Sequence, residues 1–160
     1  MTTTATEAQT TQVYQLYIKA TPQRIWEGIT KPELVAKYFH DCRLDAELTA
    51  AGRWTARSPD GEKLWIDSEI LEFEPPRRLV HAWRALYDPE CALEAESRVT
   101  WEIVEEEPGL CLLTVVHDRL EGAPKTAASV AGSGWMHVLS GLKTLLETGS
   151  PMFSYAKETE

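Results

Sequence analysis

The end of the chain limits the architecture more than any other stretch. Ala128, Ala131, Trp135, Val138 or Leu139, Leu142 and Leu145 or Leu146 recur at three- and four-residue steps. One apolar stripe therefore runs along a helix predicted from about Pro124 or Lys125 to Thr148. Gly149 and then Pro151 stop it. Upstream, most apolar segments alternate with period two, the signature of half-buried strands. A long one-faced helix and a set of one-faced strands bury their apolar sides on each other, which makes the chain α+β.

Tyr14, Leu16, Ile18 and Ala20 share one face of the first strand. Two short helices follow it. Thr21 is placed to cap the first, Pro22 suits its first turn, and Ile25, Trp26 and Ile29 point inward. In "TKPELVAKYF", Thr30 and Glu33 stand at capping-box spacing, with Leu34, Val35, Tyr38 and Phe39 supplying the apolar face of a second helix. Strands then dominate. Cys42, Leu44, Ala46 and Leu48 alternate, as do Trp54 and Ala56 after "AGRW". Residues 62–74, "EKLWIDSEILEFE", are apolar on both faces, which leaves that strand's register open. Leu79, His81 and Trp83 share a face, as do Val99, Trp101 and Ile103, and then Cys111, Leu113, Val115 and His117. "SPDG", "EPPRR" and "EEEPG" are turns between them. The expected fold is a curved antiparallel sheet of about six to seven strands around the C-terminal helix.

A chain of 160 residues suits one domain. Residues 1–10 read as a disordered lead-in, 11–150 as the domain and 151–160 as a loose tail. A net charge of −9 argues against nucleic acid and against an anionic membrane surface. No apolar run approaches the ~18 residues that span a bilayer. Cys42, Cys91 and Cys111 form no CxxC pair, and the first residues lack the regions of a signal peptide. A cytoplasmic protein with reduced thiols is expected.

"ATPQRIWEGITKPELVAKYF", "GRW", "ILEFEPPRRLVHAW", "LLTVVHD" and "GWMHVLSGLKTLLETG" together resemble the single-domain bacterial members of one family. That family is related to the activator of the heat-shock-protein-90 ATPase (AHSA-like) and lies within the START-like (SRPBCC) superfamily. The resemblance covers roughly residues 12–150. It implies the helix-grip fold of the birch-pollen allergen, with a hydrophobic cavity between sheet and helix. It implies no particular reaction, because superfamily members include binders of lipids, hormones and polyketides and a few cyclases and dehydratases. The family name adds stress response. His40 departs from the pattern, since relatives often carry glycine after "YF".

The first half of the long helix, "KTAASVAGSG", is nearly all small, and glycines stand at 132, 134 and 141. Each costs roughly 1 kcal/mol relative to alanine inside a helix, so the missing side chains serve either close packing or a space kept open. In the second case Trp135 is the leading wall of a cavity. Trp26, Trp54, Trp65, Trp83 and Trp101 read as core or as further walls, and all of these but Trp65 join Phe39 and Leu139 in the expected ligand-binding set. His117 is either a satisfied core histidine or a polar handle in the cavity, with His81 a weaker candidate. His40 and His137 read as surface or helix-end residues.

The residues of "HDC" at 40–42 alternate faces along a strand, so no metal site is expected. Cys111 and His117 are too far apart on one strand to form a nucleophilic pair. The runs "EAE" (94–96) and "EEE" (105–107) read as solvated loop faces. The function expected is binding of a small hydrophobic molecule without a cofactor. A cyclase- or dehydratase-type enzyme using a pocket histidine is the alternative, and a chaperone-ATPase activator is a third. A homodimer is left open.

Overall fold

Seven strands form one antiparallel sheet whose parity follows the sequence alternation almost everywhere. The computed structural model describes residues 10–131 and 133–154. The strands are β1 (Gln12–Ile18), β2 (Arg43–Glu47), β3 (Arg53–Arg57), β4 (Leu64–Glu74), β5 (Arg78–Trp83), β6 (Ser97–Glu107) and β7 (Leu110–Asp118). Their spatial order is β1-β7-β6-β5-β4-β3-β2. From β2 to β7 each strand thus pairs with the next in sequence, and β1 joins the far edge in register Ile18 with Cys111 and Gln12 with His117. Trp54, Ile70, Leu79, Val99, Trp101, Leu113 and Val115 are all buried in one apolar core. No helix among the described residues is long and apolar enough to cross a membrane.

The open register of residues 62–74 has a physical cause. Ile66, Ser68 and Ile70 face inward, but the pairing with β5 shifts between Ile70 and Glu72. A bulge moves every later side chain to the opposite face. Phe73 is thereby packed edge-on against Trp26, with ring centroids 5.5 Å apart. Both parities are used, one on each side of the bulge.

Helix α1 (Pro22–Thr30) is capped as expected, the Thr21 hydroxyl accepting from the Arg24 amide at 3.2 Å. The expected capping box on the next helix does not form. Thr30 is the last residue of α1 and donates its hydroxyl to the Trp26 carbonyl at 2.7 Å. Lys31 takes the cap position of α2 (Pro32–Val35) without a side-chain bond. A residue before proline is pushed to extended backbone, and Lys31, at ψ 125°, adopts it. Tyr38 and Phe39 enter the core from the turns that follow, the Tyr38 hydroxyl donating to the Gly28 carbonyl at 2.8 Å.

The long C-terminal helix is two helices, which corrects the continuous one expected. Helix α3 (Pro124–Val130) ends where Ala131 becomes extended, at ψ 174°, and α4 (Ser133–Thr148) starts anew. "AGSG" supplies poor helix formers at the break. Gly132 lies outside the described residues. The Glu94 carboxylate, expected to be merely solvated, accepts from the Lys125 and Thr126 amides at 2.7 and 2.8 Å. It thereby satisfies free donors of the first turn of α3. Gly149 ends α4 at φ +82°, its amide donating to the Leu145 carbonyl at 2.9 Å. The start of the tail is not loose: the Phe153 ring stacks on His137 with centroids 3.7 Å apart. Residues 1–9 and 155–160 lie outside the described residues.

Candidate functional site

Breaking the helix at Ala131 places Trp135 in the first turn of α4, over the ends of β4 and β5. A cavity of about 480 Å³ opens there. Its deep wall is apolar: Phe39, Ile66, Trp83, Val130, Trp135 and Val138, all buried. The more exposed side is formed by His40, Trp65, Tyr87, Ser129 and His137. The Tyr87 and Ser129 hydroxyls are 2.7 Å apart and hydrogen-bonded across this side. His40 and His137 stack with ring centroids 4.6 Å apart. Among the described residues no lysine, arginine, aspartate or glutamate lines the cavity.

Behind the deep wall lies a polar layer in which every hydrogen bond has a definite direction. The indole N–H of Trp135 donates to Nδ1 of His117 at 3.1 Å. Nδ1 is therefore the bare nitrogen, and Nε2 carries the proton, which it gives to the Ser97 hydroxyl at 2.8 Å. Ser97 in turn donates to the Trp83 carbonyl at 3.4 Å. The neighbouring strand repeats the device, with Trp101 Nε1 donating to Nε2 of His81 at 3.0 Å and His81 Nδ1 to the Ala82 carbonyl at 2.9 Å. Trp54 stacks on His81 and donates to the Ile29 carbonyl at 3.1 Å.

Burial pushes the His81 imidazole down to about 4. It pushes His117 down to about 3, with the nearby His81 adding to the effect and the Asp118 carboxylate opposing it. Both rings are neutral near pH 7 and accept from indoles only in that form. The thiols are inert for the same reason: burial raises all three, Cys42 to about 12. Among the described residues no three histidine, cysteine, aspartate or glutamate side chains converge on a metal position.

Of the eight residues expected at the site, Phe39, Trp83 and Trp135 line the cavity. Trp101 and His117 stand behind Trp135, with ring centroids 5.5 and 6.0 Å from it, and do not reach the cavity. Trp54 sits against His81 and behind Phe39, Trp26 against Phe73, and Leu139 is buried on α4, and these three are not part of the lining. The expected set left out Trp65, weighed only as one indole among six, and sequence reasoning missed Tyr87, Ser129 and the His40–His137 stack. Trp65 was hidden in the strand of open register, and the stack joins residues from distant segments with no local signal.

One contrast stands out among the buried indoles. Trp54, Trp101 and Trp135 each have an acceptor, whereas Nε1 of Trp83 has none although the residue is 4% exposed. Nδ1 of His137 is a second buried atom of the lining without a partner. Ser68 Oγ is a third such atom among the described residues, but it lies outside the lining.

A model of the family described as activator of Hsp90 ATPase homolog 1-like protein matches residues 19–147. A comparison with curated proteins found no match. Among solved structures, protein MLL2253 from Mesorhizobium loti is similar at 24% identity and a TM-score of 0.69, covering 85% of this chain and 96% of that one. DynU16, a protein of the dynemicin biosynthetic locus, is 24% identical with a TM-score of 0.73, over 94% of this chain and 52% of that one. PFC0360w from Plasmodium falciparum, described as an HSP90 activator, is 17% identical with a TM-score of 0.67, over 86% and 96%. These likenesses concern the fold, a curved antiparallel sheet with a long C-terminal helix.

Proposed function

Because the chain belongs to the activator of Hsp90 ATPase homolog 1-like family, we propose that it binds a small, largely apolar molecule in the cavity under the α3–α4 junction. One observation carries the reading: a space of about 480 Å³ whose deep wall is buried and apolar while its other side holds a few polar groups. Ligand pockets are typically of this size and make-up. Removing apolar surface from water, at ~25 cal/mol per Å², would supply most of the affinity. Phe39, Trp83 and Trp135 serve as walls, and His117 acts as a positioning residue that holds Trp135 from behind. The chaperone-activator alternative rests on the resemblance alone, while the cyclase-type alternative finds in the lining the stacked pair His40 and His137. His81 and His117, the histidines considered for acid–base work, lie outside the lining, each bonded to an indole.

The test is uptake of a neutral fluorescent probe, N-phenyl-1-naphthylamine, by the wild-type protein and by Val138→Trp. The added indole would occupy the cavity from α4. Saturable uptake in wild type, lost in a variant that still melts cooperatively, is the expected result. No uptake by wild type, or equal uptake by both, would overturn the reading.

A further inference from the structure

The cavity has a dry end and a wet one. Inward it is closed by buried apolar side chains, Trp83 and Trp135 among them, while its exposed side carries polar residues. Two of these bring hydroxyls, Tyr87 from the segment between β5 and β6 and Ser129 from α3, joined at 2.7 Å by a bond that is itself exposed. Tyr87 is 42% exposed and Ser129 is exposed as well, so both groups are open to an entering molecule. Two hydroxyls hold two hydrogens, and the bond between them uses one. Whichever oxygen donates, the other keeps an O–H to give, and lone pairs stay open on both. Among the described residues neither hydroxyl has another partner. Burial raises the Tyr87 phenol above its ordinary value of 10.0, so it holds its proton at neutral pH.

We infer that the cavity takes an aromatic molecule with one neutral hydroxyl group, a phenol or aryl alcohol, its ring against Trp83 and Trp135 and its hydroxyl outward at Tyr87 and Ser129. The inference rests on the binding reading above and names the class of ligand and its orientation. An aromatic body suits walls made of rings, which gain from edge and face contacts. A ligand hydroxyl accepts the hydrogen that the pair has to spare and donates its own to a lone pair of the same two oxygens. A ring of three hydroxyls results, in which each bond polarises the next. An ether or a carbonyl only accepts and leaves half of that exchange unmade. A carboxylate finds no lysine or arginine in the described lining, and a net charge of −9 offers it no long-range attraction. Turned the other way, the ligand would press its hydroxyl on the apolar deep wall, where an unbonded polar group is costly.

Four naphthalenes separate these claims: 2-naphthol, 2-methoxynaphthalene, 2-methylnaphthalene and 2-naphthoate, titrated by calorimetry at neutral pH into the full chain and into Tyr87→Phe/Ser129→Ala. The double substitution should weaken 2-naphthol roughly five- to ten-fold, the margin of one net hydrogen bond. It should weaken the methoxy compound less and leave the methyl compound unchanged. Each single substitution should show part of the loss, which keeps the test alive if the double variant folds poorly. In wild type, 2-naphthol and 2-methylnaphthalene should shift the same Val138 methyl resonances, marking the ring at the deep wall. Equal changes for the three neutral compounds would overturn the hydroxyl subsite and leave the cavity reading intact. Naphthoate binding wild type more tightly than 2-naphthol would overturn the neutral head. Val138 methyls moved by the methyl compound and untouched by 2-naphthol would overturn the orientation. Binding of none of the four would overturn the cavity reading and this inference with it.

Discussion

Trp135 donates its indole N–H to Nδ1 of His117 across 3.1 Å, so a wall of the cavity is anchored to the sheet behind it. Trp135→Phe would keep most of the ring area and remove the donor, leaving a buried imidazole nitrogen unpartnered. An acceptor abandoned in this way costs about 1–3 kcal/mol. Urea denaturation should show that loss, and an unchanged midpoint would mean that the bond contributes nothing to stability.

The same bond makes stability depend on pH, and the sign can be worked out. His81 and His117 titrate at about 4 and about 3 in the folded protein, burial being the main cause for both. In the unfolded chain both titrate near the ordinary value of 6.5. Below that value the unfolded state takes up protons that the folded state refuses, so stability falls as pH falls. Between pH 7 and pH 5 each histidine should remove about 2 kcal/mol. His40, lowered by partial burial and by His137, adds a smaller loss of the same sign. The Arg98 pair holds the Asp118 carboxyl below its ordinary 3.8, so that group acts only at more acid pH. Urea midpoints should therefore drop from pH 7 to pH 5, and His117→Gln should remove close to half of the slope. A flat profile in wild type would contradict two neutral buried imidazoles.

The strands were legible because each has one dry face. Val99, Trp101 and Ile103, or Cys111 through His117, declare their parity in the alternation itself, and the structure keeps it. Residues 64–74 obey no single parity because the bulge after Ile70 turns Phe73 to the side that Ile66 had occupied. The helix break was illegible for the opposite reason. Ala131 fits the apolar stripe equally well inside a helix or in an extended link, so periodicity passes over it. At the site, buried aromatic walls could be named, but not which of them the cavity reaches. A histidine on an apolar face looks the same whether it meets a ligand or an indole, and the indole that His117 meets is carried by another element.

Glu94 shows a second effect of that break, because α3 needs its own start. Burial works against its charge, yet bonds from the Lys125 and Thr126 amides and the Thr126 hydroxyl hold its carboxyl below the ordinary value. Glu94→Ala removes every acceptor and should destabilise by about 1 kcal/mol, as for loss of a helix cap. Glu94→Gln keeps one oxygen and should recover part of it. Thermal melts of the pair would show the cap role absent if alanine were neutral.

Gly149 ends α4 at φ +82°, with open space where a side chain would stand. Contacts therefore play no part in what alanine would do there. Only the backbone penalty of the left-handed region applies, so Gly149→Ala should destabilise by about 1 kcal/mol. A stabilising effect in chemical denaturation would show that α4 does not end in this conformation.

Gly134 answers why a helix with a good apolar stripe carries glycine near its start. Gly134 lines the cavity, as expected of a helix start kept thin, and it is also closely packed: an added Cβ would stand 2.9 Å from the Ser129 carbonyl oxygen, across the α3–α4 break. That neighbour is backbone and cannot swing aside. Gly141 is similar but softer, its Cβ meeting the Tyr38 Cβ at 2.9 Å and the Phe153 ring at 3.0 Å. Two terms oppose each other at 134. Helix propensity favours alanine by about 1 kcal/mol, while forcing an atom into filled space costs about 1–3 kcal/mol. Rigid backbone puts the second term toward the upper part of its range, so Gly134→Ala should destabilise by about 1–2 kcal/mol, with the overpacking cost outweighing the propensity gain. Ser140→Ala, on an exposed turn of the same helix, isolates the propensity term and should be neutral or slightly stabilising. Denaturation midpoints of the two variants against wild type decide the matter. Stabilisation by both would mean that the junction yields and that propensity alone governs the glycine; opposite signs would establish that α3 and α4 are held together backbone to backbone at this point.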